Sequence, residues 1–91
     1  LAVDGNGHDD TTSPPDWASA EARDAGFTAR EWDVLSLLVR GASNREISAE
    51  LRISPRTVGN HLVSIFGKLG VRTRTEAIAL ALGTALRPPP P

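Results

Sequence analysis

Residues 43–69 read SNREISAELRISPRTVGNHLVSIFGKL, and this stretch decides the fold. Two helix starts are written into it. Ser43 is followed three residues later by Glu46, the spacing at which each side chain bonds the other's unpaired backbone N–H. Ser54 is placed as a second N-cap, with Pro55 at the first helical position, where a missing N–H costs nothing. Ile53 before that cap and Val58 after it stand at hydrophobic-staple spacing. Only Arg52 and Ile53 separate the end of the first helix, near Leu51, from the cap of the second. So short a connection forces a sharp angle and buries Ile47, Leu51, Ile53, Val58 and Leu62 at the corner. This is the pattern of a helix-turn-helix, which delivers its second helix to the DNA major groove.

The second helix, 55–69, divides cleanly by face. At about 100° per residue, Val58, Leu62, Ile65 and Leu69 share one narrow arc, the expected core face. The opposite arc carries Arg56, Asn60, Val63, Ser64 and Gly67, with Thr57, His61 and Lys68 along one flank. No acid occurs between Ser54 and Arg74, whereas a purely structural surface helix usually carries oppositely charged i,i+4 pairs. The pattern predicts base contacts from Asn60, Val63, Arg56 and Gly59, the amide of Asn60 being suited to adenine N6 and N7. Arg56 borders the same face and can also hold the backbone. Phosphate contacts are expected from Arg45, Thr57, His61, Ser64 and Lys68; Arg45 and Thr57 stand at helix N-termini, where backbone N–H groups already favour an anion. For His61 a half-buried packing role is an equal alternative.

The rest of the 91-residue chain serves this stretch. The length suffices for one domain with one modest core. Cysteine is absent and only two histidines occur, far apart, so no disulfide or metal site is expected. No apolar run approaches the roughly 18 residues needed to cross a bilayer, and no signal peptide is recognisable. A cytoplasmic protein without a membrane partner is expected. The start at Leu1 and the lack of methionine point to a piece of something longer. The formal charge of −1 hides an asymmetry. Residues 1–27 carry six acids against Arg23 alone, a net −5, and residues 28–91 carry nine bases and five acids, a net +4. The basic part contains the turn.

Leu1 to Pro15 is rich in Gly, Asp, Thr, Ser and Pro and has little to bury; it reads as a disordered acidic leader. Asp16 is the expected cap of a short helix over 16–25, anchored by Trp17 and ended by Gly26. From Phe27 to Gly41 a helix opens on a second capping box, Thr28 with Glu31, and Phe27 and Trp32 take the staple positions. Val34, Leu35, Leu37, Leu38 and Val39 make it apolar over most of its circumference, so its aromatics are core. Gly70 ends the helix over 55–69, and Val71 plugs the junction. Thr73 and Glu76 form a third capping box that opens a last helix to about Leu86. Its core stripe is expected to be Ile78, Leu82 and Ala85, with Ala77 and Ala81 beside it. Leu80, Thr84 and Gly83 lie off that stripe and are the candidates for self-association. The tail, 87–91, should be extended polyproline.

The chain thus divides into a leader over 1–26, a domain over 27–86 and a proline tail, and the fold class is all-α with four helices in the domain. Residues 27–86, about two-thirds of the chain, resemble the LuxR-type (GerE-type) DNA-binding domain of bacterial transcription regulators. The resemblance is carried by FTAREWDVLSLLVRGASNREISAEL followed by ISPRTVGNHLVSIFGKLGVRTRTEAI. The family shows Leu-Thr-x-Arg-Glu, then Ser-Asn-Lys-Glu-Ile-Ala, then Thr-Val-Lys-x-His, and closes with Lys-Leu-Gly-Val-x-x-Arg-x-x-Ala. It implies sequence-specific double-stranded DNA binding, typically as a dimer on an inverted repeat with contacts through the last helix. It also implies an input domain upstream, a receiver or small-ligand sensor, which this chain lacks. Three positions depart from the pattern: Phe27 replaces Leu, Ser48 replaces Ala, and Gly59 stands where a lysine commonly reaches DNA.

Two other readings compete. A sigma-factor promoter-reading domain uses a similar turn, but the capped helix in GVRTRTEAIALAL argues against it. A helical protein-interaction module without DNA binding is the alternative from another class, favoured by Gly59 and the acidic leader. An enzyme is not expected, because His61 has no cysteine partner and no acid nearby in sequence to orient it. No cofactor is implied.

Overall fold

Serine and threonine hydroxyls decide where each helix begins. In the computed structural model, which describes residues 14–83, Ser19, Thr28, Ser43, Ser54 and Thr73 each accept the backbone N–H three residues on. They open α1 (Ala20–Asp24), α2 (Ala29–Val39), α3 (Asn44–Leu51), α4 (Pro55–Leu69) and α5 (Arg74–Leu82). At Thr28, Ser43 and Thr73 the capping box is complete, with Glu31, Glu46 and Glu76 each accepting the cap's own N–H. Among the described residues the architecture is all-α, as expected.

Helix α2 lies at the centre and packs against α3, α4 and α5, and α4 also touches α5. The core gathers Trp32, Val34, Leu35 and Leu38 from α2, Ile47 from α3, Val58, Leu62 and Ile65 from α4, and Ala77 and Ala81 from α5. Leu35, Leu38, Ile47, Ile65, Val34 and Val58 are fully buried. Each such side chain contributes about 1.5–3 kcal/mol. Leu51, Ile53, Leu69 and Val71 are half-buried against this cluster, as the corner and junction required. The aromatic staple is present: the Phe27 and Trp32 rings meet edge to face, 5.0 Å between centroids.

The turn between α3 and α4 is closed by a residue that sequence patterning did not mark. Arg52 adopts the left-handed conformation, φ 59 and ψ 44, which costs a non-glycine residue about 1–2 kcal/mol. Ser48 offsets that strain from inside α3. Its carbonyl accepts the N–H of Ile53 at 3.1 Å, and its hydroxyl donates to the carbonyl of Ile53 at 2.7 Å. The serine that departs from the family's alanine therefore ties the turn to the helix.

Two expectations are corrected. The short helix over 16–25 begins later, at Ala20, and its cap is Ser19 in place of Asp16. Residues 15–18 form a turn, Ala18 N–H to Pro15 carbonyl at 3.0 Å, held by the Arg23 guanidinium on the carbonyls of Ala18 and Pro15. Nor is Trp17 its sole anchor: Ala18 and Ala22 are buried, while Trp17 meets Trp32 edge-on at 6.1 Å. The last helix stops at Leu82, not near Leu86, because Gly83 turns left-handed at φ 78. Its buried side chains are Ala77, Ala79 and Ala81, and the expected stripe residue Leu82 is 39% exposed. Helix α5 is flanked by α1, α2 and α4, and alanines allow that close approach where Ile78 and Leu82 would not fit. Ile78 is half-buried at the margin of the core. The leader over 1–13, Thr84, Ala85, Leu86 and the proline tail lie outside the described residues.

Opposite effects are expected at the two ends of the turn. Ser48→Ala should cost about 1 kcal/mol by losing the bond to Ile53. Arg52→Gly should add about 0.5–1 kcal/mol by relieving the left-handed strain, less the entropy glycine gains in the unfolded chain. Urea titration of both variants reads the two signs.

Candidate nucleic-acid interface

Helix α4 is amphipathic, and its two arcs fall where the 3.6-residue period places them. Val58, Leu62 and Ile65 are buried. Arg56, Asn60, Val63 and Gly67 are exposed on the opposite side, and Val63 is 73% exposed. Arg45 is exposed on the first turn of α3. That turn is fixed from α5, where the Arg74 guanidinium donates to the Asn44 side-chain oxygen and to the Ala42 carbonyl. Thr57 is half-buried beside its own cap: Ser54 and Thr57 share a hydroxyl–hydroxyl bond of 2.9 Å. His61 is half-buried on the flank. Gly59 borders open space, with nothing within 4 Å of an added Cβ, so its backbone is free for close approach.

Two of the residues expected at phosphates, Ser64 and Lys68, bond within the domain. Ser64 donates to Glu31 Oε2 at 2.5 Å, and Lys68 Nζ sits 2.6 Å from Glu31 Oε1 and 3.2 Å from the Gly26 carbonyl. The ammonium also stands 5.9 Å from the centroid of the Phe27 ring. Their positions on the helix put them at the flank facing α2, and a buried acid there claims both. Glu31 is 4% exposed and takes the Thr28 N–H as well, at 2.9 Å. Burial pushes its carboxyl up. The bonds from Lys68, Ser64 and Thr28, with the ammonium charge, outweigh that and hold it below the usual carboxylate range. The sequence offered one clue that patterning passed over: a capping-box carboxylate uses one oxygen on its cap, and a buried one needs partners for the other.

The self-association candidates divide. Leu80 is half-buried, and Gly83 lies beside α1, where an added Cβ would stand 3.5 Å from that of Ser19. The open side of α5 is instead a shallow apolar depression of about 240 Å³ lined by Thr75, Ile78, Ala79 and Leu82. Among the described residues no helix is long and apolar enough to cross a membrane, and no group of His, Asp or Glu is arranged to hold a metal ion.

With this geometry in view, comparison with known families is decisive. Residues 25–81 match the family model of bacterial regulatory proteins, luxR family, which covers the turn, α4 and most of α5. This chain belongs to the luxR family. Similar curated proteins include a probable HTH-type transcriptional regulator GfsR from Streptomyces halstedii, 44% identical over 57 residues, and the HTH-type transcriptional regulator MalT from Serratia proteamaculans (strain 568), 41% identical over 59. The matches take in 63% and 65% of this chain but only 24% and 6% of those proteins. The luxR segment begins at residue 25, so α1 precedes it and yet packs on α5.

Glu31→Gln should cost about 1–3 kcal/mol at neutral pH, since the buried group loses its charge while Lys68 keeps its own. A depressed carboxyl contributes stability that is present above its unfolded value, near 4.3, and lost as pH falls through the folded one. Parent stability should therefore fall below about pH 5 more steeply than that of the variant. Thermal melts of both proteins from pH 7 to pH 3 test this; parallel curves would remove Glu31 from the acid transition.

Proposed function

We propose that this chain is the double-stranded DNA-binding part of a bacterial transcriptional regulator, with α4 in the major groove. One observation carries the reading: the arc of α4 that faces away from the core is exposed, holds no acid, and presents Arg56, Asn60 and Val63. Arg45 and Thr57 hold phosphates at two helix N-termini, and Arg56 and Asn60 reach base edges. His61 lines the flank. Because Ser64 and Lys68 are engaged by Glu31, the phosphate grip is light. The names of the similar regulators support a role in transcription. The remainder of such a regulator, including the part that receives its signal, lies outside this segment, and the protein works in the cytoplasm.

Two copies pair on an inverted repeat through the last helix. The open apolar side of α5 at Ile78 and Leu82 favours this. A patch so small supports pairing only where two half-sites hold the domains together, about one helical turn apart.

Selection of bound sites from random duplex DNA, followed by salt titration, tests the reading. A DNA reader loses affinity linearly in the logarithm of salt; a protein-interaction module would enrich no sequence. Asn60→Ala should cost about 1–3 kcal/mol on the best site and relax one base pair, while Arg45→Ala should weaken all sequences alike and lower the salt slope by about one. Gly59→Lys should raise affinity for every sequence and stabilise the helix by about 0.5–1 kcal/mol, because the space beside Gly59 is open. Binding of one half-site against two, with Leu82→Glu as the probe, reports on pairing.

A further inference from the structure

The outward arc of α4 carries an apolar side chain where solvent alone would favour a charge. Val63 is 73% exposed, and the other large apolar side chain exposed among the described residues, Leu82, is only 39% exposed. A β-branched residue on an open helix surface gains nothing from burial and fits a helix less well than a straight chain does. Its surroundings are also cleared. The positions one turn before and one turn after it are Gly59 and Gly67, and an added Cβ at either would meet nothing within 4 Å. No long side chain from its own helix stands beside it on that line. Asn60, three residues back, is exposed and adjacent.

From this arrangement we infer that Val63 reads the C5-methyl group of a thymine in the major groove, so that Asn60 and Val63 together select A·T pairs. The inference rests on the DNA-binding reading above. The methyl is the apolar feature thymine presents in the major groove, and Val63 offers an apolar surface of matching size. Guanine, by contrast, is read mainly through arginine or lysine at O6 and N7. Between Arg56 and Lys68 the arc holds no cation, and Lys68 is drawn to Glu31. Gly59 and Gly67 leave the isopropyl group unscreened by its own helix. A basic partner would fit this surface less well, since the outward arc carries Arg56 and α4 holds no acid. The neighbourhood of Val63 therefore matches a groove that is negative at its rims and apolar at one methyl.

The test uses the full chain and the duplex obtained by selection, with each thymine of the half-site replaced in turn by deoxyuridine. That change removes the methyl and keeps the base pair. One replacement should weaken the parent about fourfold, the factor expected for one methyl-sized apolar contact. Val63→Ala should bind the thymine site more weakly and no longer distinguish thymine from deoxyuridine at that position, with a melting temperature no lower than the parent's, because the site is exposed and alanine suits a helix better than valine. Parent affinity indifferent to every replacement would overturn the inference, and so would a Val63→Ala variant that still discriminates. If random DNA yields no enriched site, DNA binding itself fails and this reading with it. An enriched site without methyl dependence removes this inference alone.

Discussion

One buried carboxylate sets how α4 is presented. Glu31 starts as a local capping residue, bound to the Thr28 N–H, and its remaining capacity is taken up by Ser64 and Lys68 across the α2–α4 contact. An acid that is 4% exposed is tolerable only when such partners satisfy it. The apolar cluster of Val58, Leu62 and Ile65 holds α4 against the core but leaves rotation about its own axis loosely specified, because dispersion contacts are not directional. Charged hydrogen bonds are directional. They fix which residues of α4 face outward, and so link the packing of the first helix-starting motif to the surface offered to a groove.

That linkage has a consequence for charge. A flank lysine drawn inward no longer adds to the outer field, and Gly59 supplies no replacement. The outward arc keeps Arg56 as its cation, with Arg45 on the neighbouring helix. Binding that depends on few phosphates gains little from the sequence-independent electrostatic term. In the proposed binding mode more of the discrimination would then fall on base edges.

How much of this was legible in the sequence follows from the range of each interaction. Caps at Thr28, Ser43, Ser54 and Thr73 act over three residues, so spacing alone located four helix starts. The core arc of α4 follows from the helical period and was equally readable. The bonds of Ser64 and Lys68 to Glu31 were not readable, since an angle states where a side chain leaves the helix and not where a long, flexible one ends. Ala77 and Ala81 of α5 were read only as flanking the core stripe, for a related reason. Hydrophobicity favours Ile78 and Leu82 as core, yet the closeness of three neighbouring helices favours small residues, and that closeness is set by the whole fold. The turn at Arg52 hid itself because glycine usually marks a left-handed residue, and here Ser48 supplies the compensation from four residues back.

Helix α1 presents the same lesson at the boundary of the domain. It stands before the segment matched by the luxR family, and its five residues are too few to be stable alone. Its stability comes from α5. The Ser19 hydroxyl donates to the Leu80 carbonyl at 2.6 Å, which also accepts the Gly83 N–H at 3.2 Å, and the Ser19 N–H donates to the Ala81 carbonyl at 2.8 Å. Ala18 and Ala22 are buried beside it, and Trp17 meets Trp32 of α2 edge-on. The short α1 is thereby held by carbonyls at the C-terminal turn of α5. The last helix thus both holds the segment that precedes the luxR match and carries the shallow apolar depression at Ile78 and Leu82.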